Sequence, residues 1–179
     1  TDGIGMLYTK TGEYSAILRM ENPVQKYSAN IDSYYEFTNL FAAIAQTLGE
    51  GYALHKQDIF TRKQFEDESG KGHEFLSESY FRYFNGREYT DSMTYLTITQ
   101  ENKKSRLMSF DSKKWRDFLV KIRKVQDQLK DAGIKSKFLN KQETSVYVDR
   151  FFAMNFRDKT VSMTGFKVDD ETIGMGDRR

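Results

Sequence analysis

With 179 residues the chain has room for one domain or at most two small ones. Its hydrophobic share of 38% is thin, so 14 Phe, 11 Tyr and one Trp must carry much of the packing. The absence of Cys excludes disulfides, thiol nucleophiles and cysteine metal sites, and a formal charge of +2 argues against a global nucleic-acid footprint.

Residues 4–8 and 13–20 are short apolar runs separated by a polar gap containing Gly12, which predicts a β-hairpin. Pro23 is expected to end the second run. A helix follows, capped by Asp32 or Ser33. Its stripe is Tyr34, Phe37, Leu40, Phe41, Ile44, Ala45 and Leu48, and Gly49 and Gly51 supply the stop. Residues 52–61 read as a strand with no cleanly apolar face, hence an edge, an interface or a long strand leaving the core.

Residues 66–74 are charged and glycine-bearing, and predict a loop. A second helix is expected over 74–84, with Phe75, Leu76, Tyr80, Phe81 and Phe84 as an aromatic stripe and Asn85-Gly86 as its end. Residues 93–99 alternate as a strand, and 100–106 form a polar loop. A third helix starts at Asp111-Ser112, buries Trp115, Phe118, Leu119, Ile122, Val125 and Leu129, and closes at Ala132-Gly133. A fourth begins after Asn140, with Val146, Val148, Phe151, Phe152, Met154, Asn155 and Phe156 less regularly spaced, and residues 161–166 suggest a last strand. The expected order is β-β-α-β-α-β-α-α-(β). That predicts one α+β domain over 1–179, a mixed or antiparallel sheet with helices packed on it. The start at Thr1-Asp2-Gly3 and the exposed-looking end predict a segment of a longer protein.

Catalytic chemistry is sparse. A P-loop needs Gly, four residues, then Gly-Lys-Ser/Thr, so that backbone amides wrap phosphates. Gly70-Lys71-Gly72 lacks both the upstream Gly, replaced by Phe65, and the following hydroxyl. Gly49-Glu50-Gly51 opens a strand and not a helix, which fails the dinucleotide fingerprint. His55 and His73 have no partner at metal-ligand spacing and read as ordinary strand and surface histidines. The acidic run 66–68 reads as a solvated loop. No apolar run approaches the ~18 residues that a membrane span requires.

Two groups of residues merit attention. Tyr80, Arg82, Tyr83 and Arg87 are of the types that anchor protein interfaces; their ordinary alternative is core packing for the tyrosines and solvated surface for the arginines. Lys113, Lys114, Arg116, Lys121 and Lys124 form a candidate basic patch for nucleic acid on the third helix, against the ordinary reading of a charged outer face. A hydrolase working through carboxylates is the third and weakest alternative.

The segment FLSESYFRYFNGREYTDSMTYLTITQ at 75–100 is the most distinctive in the chain. With GYALHKQDIF at 51–60 and DGIGMLYTKTGEYSAILRM at 2–20, it resembles the N-terminal region of TraG-type conjugative-transposon proteins of Bacteroides-like bacteria. Those belong to the type IV secretion conjugation ATPases, of the VirB/TrbE/CagE kind. The resemblance implies an α/β domain ahead of a RecA-like motor, holding it to inner-membrane channel components and neighbouring subunits. It implies a cytoplasmic location at the inner membrane, with ATP and magnesium bound only in the motor. These 179 residues are accordingly expected to hold no cofactor and to be no enzyme by themselves.

Overall fold

In β2 (Tyr14–Met20), Tyr14, Ala16, Leu18 and Met20 alternate with Ser15, Ile17 and Arg19, and all but Arg19 are buried. A strand buried on both faces must lie centrally between two layers. The computed structural model describes residues 3–9, 12–28, 30–66, 75–102, 111–157, 166–168 and 173–175. Residues 161–165 of the expected last strand, most of the loops at 66–74 and 100–106, and His73 lie outside them.

β4 (Glu88–Gln100) pairs antiparallel with β2 from Tyr14↔Gln100 to Met20↔Thr94. β3 (Tyr52–Gln64) pairs with β4 over its whole length, from Tyr52↔Gln100 to Gln64↔Glu88. On the other edge of β2 lie β1 (Met6–Tyr8) and β5 (Ser136–Phe138), along successive stretches and also antiparallel. The spatial order is therefore β5-β2-β4-β3, with β1 beside β5. α2 (Ile31–Leu48) links β2 to β3, and α4 (Ser112–Asp131) links β4 to β5. This is the βαββαβ arrangement of the ferredoxin-like fold. The chain adds α1 (Val24–Tyr27), α3 (Phe75–Phe84) inside the β3–β4 connection, α5 (Lys141–Ala153), and the antiparallel pair β6 (Phe166–Val168) and β7 (Ile173–Met175). The expected α+β class is the observed one.

α2 and α4 cover the face of the sheet that carries Leu18, Leu96 and Ile98. α4 contributes Phe118, Ile122, Val125 and Leu129, all buried at the spacing of one helical stripe. Asp111 caps it by accepting from the N–H groups of Lys113 and Lys114, at 2.9 and 3.2 Å. These bonds, Lys114 first, hold the Asp111 carboxyl below its ordinary range. α5 covers the opposite face, where Tyr147 packs with Ile17, Tyr95 and Leu139. Its start is a capping box: Asn140 accepts from the Glu143 N–H at 2.9 Å, and Glu143 accepts from the Asn140 N–H at 2.8 Å.

Several local expectations need correction. The cap of α2 is Asn30, whose extended backbone lets its side chain accept from the Ser33 N–H at 2.7 Å; Asp32 and Ser33 are already helical. Pro23 ends β2 but also precedes the helical turn α1, its φ of −70° being pre-set for helix entry. β3 and β4 run several residues beyond 61 and before 93. β5 was too short to show a pattern. In α5 the buried side chains are Thr144 and Tyr147, while Val146, Phe151 and Met154 are exposed.

β3 is an edge strand, and two charges on its core-side face, Lys56 and Asp58, pair with each other. Inward charges of this kind discourage another strand from adding to the edge. Burial opposes ionisation of Asp58, but hydrogen bonds from Lys56 and from the Thr94 hydroxyl, the latter at 2.7 Å, outweigh it and hold the carboxyl below its ordinary 3.8. A folded pKa below the unfolded one gives stability that is complete above 3.8 and is lost as the pH falls below it. Acid unfolding followed by circular dichroism should therefore be steeper for the wild type than for Asp58→Asn. Identical acid limbs would refute this contribution.

Candidate functional site

β2 pairs with β4 only between Thr94 and Gln100, so Ile59–Gln64 and Glu88–Met93 continue past the four-stranded body as a two-stranded ribbon. Six residues at about 3.3 Å each give a projection of roughly 20 Å. Opposite partners share a face. Phe60, Arg62 and Gln64 lie with Ser92, Thr90 and Glu88 on one side, Thr61 and Lys63 with Asp91 and Tyr89 on the other. The first side is open, with Phe60 65% exposed. On the second, Thr61 is buried and Lys63 pairs with Asp91.

α3 sits at the far end of this ribbon. Phe65 continues β3 and fastens the helix, stacking on Phe81 at 6.0 Å and meeting Phe84 edge-on at 6.3 Å. The turn back into β4 is closed by bonds from the Gly86 N–H to the Phe65 carbonyl and from the Phe65 N–H to the Arg87 carbonyl, both 2.9 Å. Gly86, at φ +76°, takes the left-handed conformation expected of it. The predicted aromatic stripe is thus split. Phe81 and Phe84 face Phe65, whereas Tyr80 and Tyr83 are 56% and 58% exposed. The side chains of Phe75 and Leu76 lie outside the described residues.

The four candidate interface residues are brought together on this tip. Tyr80 lies 4.5 Å from the Phe84 ring and Tyr83 5.0 Å from it. The Arg87 guanidinium covers the Tyr83 ring at 3.7 Å, a cation–π contact that holds both side chains in place. Arg82 bonds Glu78 one turn earlier at 3.3 Å and stays largely in solvent. Core packing, the ordinary expectation for the two tyrosines, does not describe them. Sequence reading missed Phe60 and Tyr89, exposed apolar side chains of the ribbon beneath; their signal was the Tyr/Thr/Ser-rich stretch 89–94 continuing the strand pattern backward.

The five candidate basic residues are not one surface. Lys113, Lys114, Arg116 and Lys124 are exposed on α4, with Asp117 and Asp127 on the same outer face. Lys121 turns inward instead. Its ammonium donates to the Leu48 carbonyl at the end of α2 and sits 4.3 Å from the Tyr52 ring centre. It caps a helix and covers an aromatic face, so it is unavailable to a polyanion.

His55 stands exposed on β3. Among the described residues, no three His, Asp or Glu side chains converge as a metal site would require, and no helix is long and apolar enough to cross a membrane. Compared with known proteins, the chain matches no family model and no curated protein.

Proposed function

We propose that this chain is a non-catalytic docking and oligomerisation domain of a conjugative-transfer ATPase of the type IV secretion kind. In this reading it lies in the cytoplasm against the inner membrane and holds the motor to channel components and neighbouring subunits. The observation that carries it is the projecting arm, a ribbon whose tip presents Tyr80, Tyr83, Arg82 and Arg87 to solvent. Tyrosine and arginine dominate interface hot spots because each buries a large, stiff surface and still forms polar contacts. Tyrosine rings held against Phe84, and in the case of Tyr83 under Arg87, have less conformational freedom to lose on binding. The family context rests on the resemblance of residues 2–20, 51–60 and 75–100. The last of these contains the whole of α3 and β4. Nucleic-acid binding by α4 has less support, since Asp117 and Asp127 interrupt its basic face and Lys121 is engaged elsewhere.

The test uses the full-length parent protein in donor cells, with a photo-crosslinking amino acid at position 80 or 83. The expected result is a crosslink to an inner-membrane channel component or to a second copy. Tyr80→Ser combined with Tyr83→Ser should cut DNA transfer about tenfold or more at unchanged protein level. Undiminished transfer by that variant would sink the docking role. Tight, steeply salt-dependent DNA binding by the chain would favour the nucleic-acid reading. ATP turnover by these 179 residues would overturn the non-catalytic one.

A further inference from the structure

On the face of the sheet away from α2 and α4, the register builds a row across neighbouring strands: Lys137 opposite Arg19, Arg19 opposite Tyr95. α5 stands over one side of this row and leaves a cleft of about 550 Å³ against β5 and β2. That volume lies within the roughly 300–1,000 Å³ typical of small-molecule sites. Four cationic side chains line it, Arg19, Lys135, Lys137 and Arg150, against one carboxylate, Glu143.

The lining concentrates like charge. Like charges directly opposite on paired strands destabilise a sheet, and Arg19 and Lys137 are such a pair. Lys135, two residues earlier on the same chain segment, adds a third positive charge. The one lining carboxylate is already engaged: Glu143 accepts from the Asn140 N–H as part of the helix cap and from Lys137 at 2.9 Å. It pairs with Lys137 and is also felt by Arg19, so a single carboxylate is shared among four lining cations and the cleft keeps an excess of positive charge. Buried Tyr95, Tyr147 and Leu139 make the floor, which lowers the local dielectric and strengthens any charge pairing above it.

From this geometry we propose that the cleft between α5 and the β5–β2 pair binds a phosphate-bearing anion of pyrophosphate size, with Arg19, Lys135, Lys137 and Arg150 as its ligands. Two guanidinium groups suit the oxygens of a phosphoryl group, which they engage by paired N–H donors; the two ammonium groups act as mobile point charges. The same chemistry would be offered by a soluble phosphate ester or by an anionic lipid headgroup. This proposal is independent of the docking role of the arm.

The test is titration of the whole chain with inorganic pyrophosphate, read by calorimetry and by thermal shift, alongside flotation with phosphatidylglycerol vesicles. Saturable pyrophosphate binding is expected, weakened about tenfold or more in Arg19→Gln with Lys137→Gln and in Lys135→Gln alone. A control pair on α4, Lys113→Gln with Lys124→Gln, should bind as the wild type does. Without ligand, Arg19→Gln should melt at the wild-type temperature or above it, because a like-charge pair has been relieved; a merely structural arginine would give a lower one. Vesicle flotation that depends on the same residues, without pyrophosphate binding, would assign the lipid source. Absence of binding in both arms, or equal loss in the α4 control, would overturn the proposal.

Discussion

Replacing Phe118 by alanine is expected to lower the unfolding free energy by about 3–5 kcal/mol. Phe118 is fully buried at the point where α4 crosses the sheet, with Tyr52 stacked on it at 6.2 Å and Tyr14 tilted against it at 6.1 Å. Truncation removes transfer energy and also leaves a void whose size depends on how far the neighbours can move. They have little freedom here. Tyr14 is held edge-on by Trp115 at 5.3 Å, and Tyr52 lies under the Lys121 ammonium. Domains of this kind have only about 5–15 kcal/mol in total, so the variant should be partly unfolded at moderate urea. Phe118→Leu, which keeps most of the volume, should cost clearly less. Equilibrium urea unfolding measures both, and a cost for Phe118→Ala within that of Phe118→Leu would show that the site collapses.

The second large effect is expected at Gly5. A Cβ there would stand 2.3 Å from the Thr144 hydroxyl oxygen and 2.4 Å from the Asn140 carbonyl oxygen. Real Cβ atoms do not approach backbone this closely, and this backbone cannot yield cheaply. The Asn140 carbonyl accepts from the Thr144 N–H at 2.8 Å in the first turn of α5, and Gly5 itself donates to the Leu139 carbonyl at 2.7 Å. Gly5→Ala should therefore cost about 1–3 kcal/mol by overpacking, and Gly5→Val more. The damage should be local first: hydrogen exchange is expected to rise in Met6–Tyr8 and at the start of α5 before the rest of the sheet opens. Adding Thr144→Ala should restore only part of the loss, because the Asn140 carbonyl remains in the way. Full restoration would contradict the geometry.

Helix ends were the most legible part of the sequence, because they are set by local chemistry. Asp111 as a cap and Gly49, Gly86 and Gly133 at positive φ sit where their residue types predict. The stripe of α4 was equally plain, since its buried positions recur at helical spacing with charges between them. The far half of the β3–β4 ribbon was hidden because it has no core to face; its register comes from pairing along the backbone, which leaves no apolar alternation to read. The stripe of α3 misled for a related reason. Five aromatic or aliphatic positions on a helix imply a buried face, but among the described residues Phe81 and Phe84 pack on Phe65, just past the end of β3, while Tyr80 and Tyr83 stay exposed. Tyr147 escaped attention because Val146 and Val148 flank it, and its burial against Ile17, Tyr95 and Leu139 comes from tertiary packing that the helix pattern does not display. The cationic cleft was wholly invisible. Arg19, Lys137 and Arg150 lie far apart along the chain, and the three-residue strand that brings Lys137 opposite Arg19 is too short for any periodicity.

The ribbon also has a mechanical consequence. Both of its strands turn back through α3, so tension applied at the tip along the ribbon axis reaches the body through β4 and its pairing with β2. The hydrogen bonds of that antiparallel seam run across the pulling direction. They are therefore loaded side by side in shear, from Tyr14↔Gln100 to Met20↔Thr94, and do not open one after another like a zip. A ribbon rooted in this way can bear a sustained pull at its tip without peeling the domain apart.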